Sequence, residues 1–160
     1  MNSFIPLFAT IGLVLLILLL GGLINYLKKV REQKLIKEFD ELSKKNALSI
    51  DKKQTLNKNM IGIDRVNQKL LFLDRNKLPQ QSYIIDLSEV EECELVRIKN
   101  PSSGLINNIS LRFKYKTDKA DTLLPFFVEG VNKQFKTMRL SKKAMYWVKS
   151  VNLFKDMKAA

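Results

Sequence analysis

From Phe4 to Leu27 apolar residues run almost unbroken, and no Asp, Glu, Lys or Arg occurs before Lys28. The centre of that run, Leu13 to Leu20, is bracketed by Gly12 and by Gly21-Gly22. About 20 predominantly apolar residues make a helix that crosses a hydrocarbon core of roughly 30 Å, and no ionisable group opposes insertion here. Residues 1–27 are therefore expected to be a transmembrane helix. A cleaved signal peptide fits less well, because the start Met1-Asn2-Ser3 carries no basic side chain and no small-x-small site follows the run.

The pattern then changes period twice. Over 28–48, Leu35, Ile36, Phe39 and Leu42 recur at helical spacing among Glu and Lys, without Gly or Pro. This predicts a juxtamembrane helical stalk, roughly 30 Å long at 1.5 Å per residue. Its apolar stripe suits either the chain's own domain or a partner helix. Residues 49–59 are polar and lysine-rich without a sustained period, and read as a linker.

From Met60 short apolar runs alternate with turn signals. Met60–Asp64 and Lys69–Asp74 read as a hairpin around Arg65-Val66-Asn67-Gln68. Gln81–Asp86 is a further strand after a turn at Asn76–Pro79, and Val90–Ile98 another, with Cys93 and Leu95 on one face and Glu92, Glu94 and Val96 on the other. Asn100-Pro101-Ser102-Ser103-Gly104 is the strongest breaker. Ile109–Lys116 alternates without fault, with Arg112, Lys114 and Lys116 facing water. Thr122–Glu129 is a strand in which Pro125 predicts an edge or a bulge. With Ser141 as N-cap, Ala144, Trp147, Val148, Val151 and Phe154 mark one face of a closing amphipathic helix that runs to about Lys158. The fold class is α+β: a membrane helix and stalk, then over 60–160 a small bent antiparallel β-barrel or sandwich closed by a C-terminal amphipathic helix.

Residues 60–160 resemble the bacterial pleckstrin-homology-like (PH-like or GRAM-like) domains. The likeness rests on the opening hairpin Ile61–Asp64 and Lys69–Leu73, on the bend Tyr83-Ile84-Ile85-Asp86-Leu87-Ser88-Glu89-Val90, and on the terminal helix with Ala144, Trp147 and Val151. The resemblance implies a binding module for phospholipid headgroups, peptides or neighbouring proteins. The basic phosphoinositide signature of the eukaryotic relatives is not clearly matched, since the first hairpin loop holds only Arg65 and, after three residues, Lys69.

Charge sets the expected topology. All 28 Lys and Arg and all 16 Asp and Glu lie after Leu27, giving a net charge of +12. Lys28, Lys29, Arg31, Lys34 and Lys37 follow the apolar run and are expected to contact an anionic leaflet. The positive-inside rule places the N-terminus outside and the C-terminal domain in the cytoplasm, at the inner membrane. The single cysteine, Cys93, agrees with a reducing compartment.

Candidate chemistry is sparse. The chain has no histidine, and its six glycines form no phosphate-binding loop. Cys93 on a strand among apolar neighbours reads as a core thiol. Glu89, Glu91, Glu92 and Glu94 alternate along a strand start and read as a solvated face that pairs with Lys or Arg next door. No enzymatic role, cofactor or metal is expected, and no nucleic-acid motif accompanies the charge. Arg112, Lys114, Lys116 and Lys119 form a basic stripe, a candidate contact for lipid or an acidic partner. Met145, Tyr146, Leu153 and Met157 lie partly off the core stripe of the last helix, as adaptable contact residues do. The expected function is that of a membrane-anchored interaction protein, an accessory subunit that docks one or more membrane-protein partners through its PH-like domain. The alternative is an anionic headgroup sensor; nucleic-acid and enzyme roles rank below both. Homo-oligomerisation is left open, since the span carries no GxxxG pattern.

Overall fold

The computed structural model describes residues 4–77, 80–129 and 136–159, with side chains except at 4–11, 14 and 156–159. Two compact units divide the chain, Met1–Glu38 and Phe39–Ala160. Its elements run α1 (Phe4–Lys45), β1 (Lys52–Leu56), β2 (Asn59–Asp64), β3 (Lys69–Asp74), β4 (Gln81–Asp86), β5 (Val90–Lys99), β6 (Ile106–Tyr115), β7 (Thr122–Val128) and α2 (Thr137–Ala159).

In the first unit, the described side chains of α1 from Gly12 to Leu27 are uncharged and, apart from Asn25, almost wholly apolar. Leu13, Leu15 to Leu20, Leu23, Ile24 and Tyr26 are all exposed, and nothing lies within 4 Å of a Cβ built at Gly12, Gly21 or Gly22. Among the described residues no helix is long and apolar enough to cross a membrane. Much of the expected span, namely residues 1–3 and the side chains of 4–11 and 14, lies outside the described residues.

The second unit opens with the last turns of α1. The helix stops in a Schellman arrangement: Ala47 N–H donates to the Lys44 carbonyl at 3.0 Å, and Leu48 N–H donates to that of Ser43 at 2.9 Å. Ala47 adopts the left-handed conformation that this motif requires, with φ 53°.

Among the described residues seven strands then form two antiparallel sheets, β1-β2-β3-β4 and β5-β6-β7. With α2 closing the chain, this strand and helix order is consistent with a PH-like topology. The main core lies between the sheets and α2: Ile61, Leu70, Phe72, Cys93, Leu111, Phe113 and Phe127 pack with Leu140, Ala144, Trp147 and Val151. Burial of these side chains at roughly 25 cal/mol per Å² is the dominant force holding sheets and helix together.

β2 and β3 are unbroken apolar runs because both of their faces are covered. Ile61, Ile63, Leu70 and Phe72 face the main core, while Met60, Leu71 and Leu73 are equally buried outside it. At β2 the end of α1 and the segment after it come so close that a Cβ at Gly62 would lie 2.8 Å from Phe39 Cζ and 2.9 Å from Ile50 Cγ2. Phe39, read from the sequence as part of a stripe with two alternative partners, therefore packs on its own domain.

Three sequence expectations need correction. The linker over 49–59 contains β1, paired from Lys52↔Ile63 to Leu56↔Asn59, and the start of β2. Its polarity reflects an edge strand facing α2: Gln54 Oε1 accepts a hydrogen bond from Trp147 Nε1 at 2.9 Å, and the Thr55 carbonyl accepts one from Lys143 Nζ at 2.6 Å. The last helix begins one turn before Ser141, since Leu140 extends the buried stripe of Ala144, Trp147 and Val151. Ser141 is not a cap; its Oγ accepts from Arg97 Nη2 at 2.8 Å. The strand begun at Ile109 starts earlier, at Ile106, after a turn in which Gly104 takes φ 66°.

Pro125 behaves as expected. It lies on the edge strand β7, beside a register shift opposite Ile109/Ser110. Of the turn expected at Asn76–Pro79, Leu78 and Pro79 lie outside the described residues.

Candidate functional site

Two cationic surfaces of the second unit are candidates for contact, and their electrostatics differ. The first is the outer face of β5 and β6. Antiparallel register sets Glu94 opposite Arg112 and Glu92 opposite Lys114, so each pair is a direct cross-strand neighbour. Arg112 Nη2 lies 2.6 Å from Glu94 Oε2, and its Nε donates to the same oxygen at 3.1 Å. Lys114 Nζ donates to Glu94 Oε1 and reaches Glu92 Oε2 at 3.3 Å. Lys119 Nζ pairs with Glu89 Oε2 at 3.0 Å and sits 4.4 Å from the centroid of the Tyr115 ring. Lys116 Nζ donates to the Ser88 carbonyl at 2.8 Å.

The titration behaviour follows from that geometry. Hydrogen bonds from Lys114 and then Arg112 outweigh desolvation and hold the Glu94 carboxyl down to about 2. The hydrogen bond to Glu94 raises Arg112 and Lys114, and the one to Glu89 raises Lys119. The basic stripe of Arg112, Lys114, Lys116 and Lys119 is thus brought together as the sequence predicts, but its charge is largely answered within the sheet. Surface pairs of this kind contribute little to stability. Their larger effect is to reduce the field available to an outside anion.

The second surface is the outward side of α2. At about 100° per residue, Met138, Arg139, Lys142, Met145, Tyr146, Lys149 and Leu153 all fall within a sector of roughly 120°. Four of these side chains are large and apolar yet exposed: Met138 at 72%, Met145 at 43%, Tyr146 at 41% and Leu153 at 64%. The three cations among them lie unpaired: among the described residues no carboxylate forms a salt bridge with Arg139, Lys142 or Lys149. No acid occurs from Thr137 to Lys155. The next, Asp156, has a side chain outside the described residues, as does Met157. Lys52 of β1 adds a further cation, its Nζ 4.3 Å from the centroid of the Tyr146 ring.

The sequence pattern singles out Met145, Tyr146 and Leu153 but not Met138 or the cations between them. The signal is present as a run of nineteen acid-free positions, Thr137 to Lys155, whose weight emerges only once the β6 cations are seen to be paired.

The remaining candidates divide plainly. Lys28, Lys29, Arg31, Lys34 and Lys37 are all exposed on α1 in the first unit. Cys93 is buried, and desolvation, reinforced by Glu92 and Glu94, pushes its thiol up to about 12. A thiol held protonated in this way is a poor nucleophile. The Cys93 backbone has a structural role, because β5 is an edge strand. Its N–H donates to Asn152 Oδ1 at 3.1 Å, and its carbonyl accepts from Asn152 Nδ2 at 2.9 Å. One side-chain amide of α2 thereby stands in for a neighbouring strand. Among the described residues no group of three or more His, Cys, Asp or Glu could hold a metal ion.

No family model, curated protein or solved structure matches this chain.

Proposed function

We propose that the chain is a single-pass membrane protein whose PH-like domain docks a protein partner, as an accessory subunit of a larger inner-membrane assembly. The observation that carries the reading is a contrast within one molecule. Residues 1–27 hold no Asp, Glu, Lys or Arg and the described part of that stretch exposes apolar side chains, whereas the domain buries its core and keeps one face apolar, with cations that no carboxylate neutralises among the described residues.

A bare apolar helix of this kind demands cover, and lipid is the cover that needs no complementary surface. The exposed Lys28, Lys29, Arg31, Lys34 and Lys37 would then lie at an anionic leaflet, with the N-terminus outside and the domain in the cytoplasm. Tethering would fix the height of the domain above the bilayer and raise its effective concentration near membrane-bound partners.

Purification of the tagged full-length chain in mild detergent tests this reading. A stoichiometric membrane-protein partner is the expected result. A preparation holding only this chain and lipid would contradict it and favour an anionic headgroup sensor, a reading to which Arg139, Lys142 and Lys149, without a carboxylate partner among the described residues, also lend weight. That alternative predicts binding to phosphatidylglycerol vesicles that falls steeply with salt.

A further inference from the structure

We propose that the outward face of α2 docks an acidic segment of a protein partner in which carboxylates are interleaved with apolar side chains. The inference rests on the docking reading above and names the face and the chemistry it selects.

Charge complementarity identifies the occupant. The face offers Arg139, Lys142 and Lys149 without a carboxylate partner among the described residues, on a helix free of acids from Thr137 to Lys155. By contrast, Arg112 and Lys114 on the sheet and Lys119 in the turn after β6 already hold Glu94, Glu92 and Glu89. An incoming anion therefore meets less competition on the helix than on the sheet. Met138, Met145, Tyr146 and Leu153 supply apolar area on the same face, and Met and Tyr are the side chains that adapt to and anchor a protein contact.

The arrangement of cations argues for protein over bilayer. A helix that lies in a membrane interface separates an apolar face from a charged one. Here Lys142 and Lys149 fall inside the apolar sector, at about 40° and 20° from Met138 at 100° per residue, with Met145 on one side and Leu153 and Tyr146 on the other. Sinking the apolar side chains into lipid would draw both ammonium groups with them, at a cost. A partner that places a carboxylate opposite each lysine and apolar groups between them meets no such conflict.

Photo-crosslinking of the full-length chain in cells decides the matter. Benzophenone side chains are placed singly at Met138 and Met145, and at the exposed Leu123 of β7 for comparison. The expected result is a protein adduct from Met138 and Met145 whose crosslinked peptide, once sequenced, alternates Asp or Glu with apolar residues. In the background Lys142→Glu/Lys149→Glu the yield should fall about tenfold, and in Lys142→Gln/Lys149→Gln about threefold, with the thermal midpoint unchanged.

Lipid adducts alone at Met138 and Met145, adducts with a second copy of this chain, a peptide without acids, or equal yield in both variants would each overturn the proposal. Protein adducts at Leu123 alone would overturn the face and leave docking standing. An absence of protein adducts at all three positions would overturn both.

Discussion

Gly62 shows how one residue can fix a packing arrangement. Its missing Cβ is the space that the Phe39 ring and Ile50 occupy. Gly62→Ala forces one of them to move, and overpacking of this kind costs about 1–3 kcal/mol; equilibrium denaturation should show a loss of that order. A variant as stable as the wild type would mean that the end of α1 yields easily.

Lys114 and Arg112 hold the Glu94 carboxyl down to about 2, against about 4.3 for an unperturbed glutamate. The sign follows from linkage: a depressed carboxylate contributes stability that is fully present above the unfolded value and is lost as pH falls through the folded one. Carbon-detected NMR titration should find Glu94 still ionised at pH 3, and Lys114→Ala should move its midpoint upward. A midpoint near 4 in the wild type would contradict the network. Register made this pairing readable, since Glu92 and Glu94 alternate on one strand and Arg112 and Lys114 on the next. What periodicity could not give was which cation meets which acid, because that depends on where β5 and β6 align.

Most elements were legible for physical reasons that differ from strand to strand. β6 alternates because one face is wet, and β2 and β3 are continuously apolar because both faces are covered. β1 escaped notice for the opposite reason. Its Lys-Lys-Gln-Thr-Leu has nearly no apolar signal, and it holds its place through ladder bonds to β2 and through Gln54 to Trp147. Ser141 misled for a related cause: a residue typical of helix starts is used inside the helix, to receive Arg97.

Asn152 carried no sequence signal at all. It closes the edge of β5 by giving and accepting one bond at Cys93, and nothing in a helix pattern announces a partner far away in the chain. Asn152→Ala leaves two backbone groups without their partner, a change that costs about 1–3 kcal/mol if water does not replace it. The Cys93 amide should then exchange hydrogen faster than its neighbours on β6. Unchanged exchange at Cys93 would show that the edge is protected by something other than this amide.

For the molecule as a whole, the candidate site was only half legible. Composition drew attention to cations, and the most regular basic stripe began on β6; the structure sets Arg112, Lys114 and Lys119 of that stripe against acids and, among the described residues, leaves Arg139, Lys142 and Lys149 of α2 without one. The reason is general. Sequence counts charges, but the field that a partner meets depends on which charges are already paired. The apolar segment is the reverse case, readable at once from residues 1–27 as a stretch without charge. The full-length chain should stay in the membrane pellet under alkaline carbonate, and a chain with charges placed at Leu16 and Leu19 should be released. Release of the unaltered chain would refute the anchor.

The most direct test joins anchor, domain and docking face. Native mass spectrometry of the full-length chain, extracted in mild detergent, should record a defined heteromeric mass for the wild type. The same measurement on Lys142→Glu/Lys149→Glu should record the chain without its partner. An identical heteromeric mass in both would contradict docking through α2, and a wild type that carries only itself and lipid would contradict docking altogether.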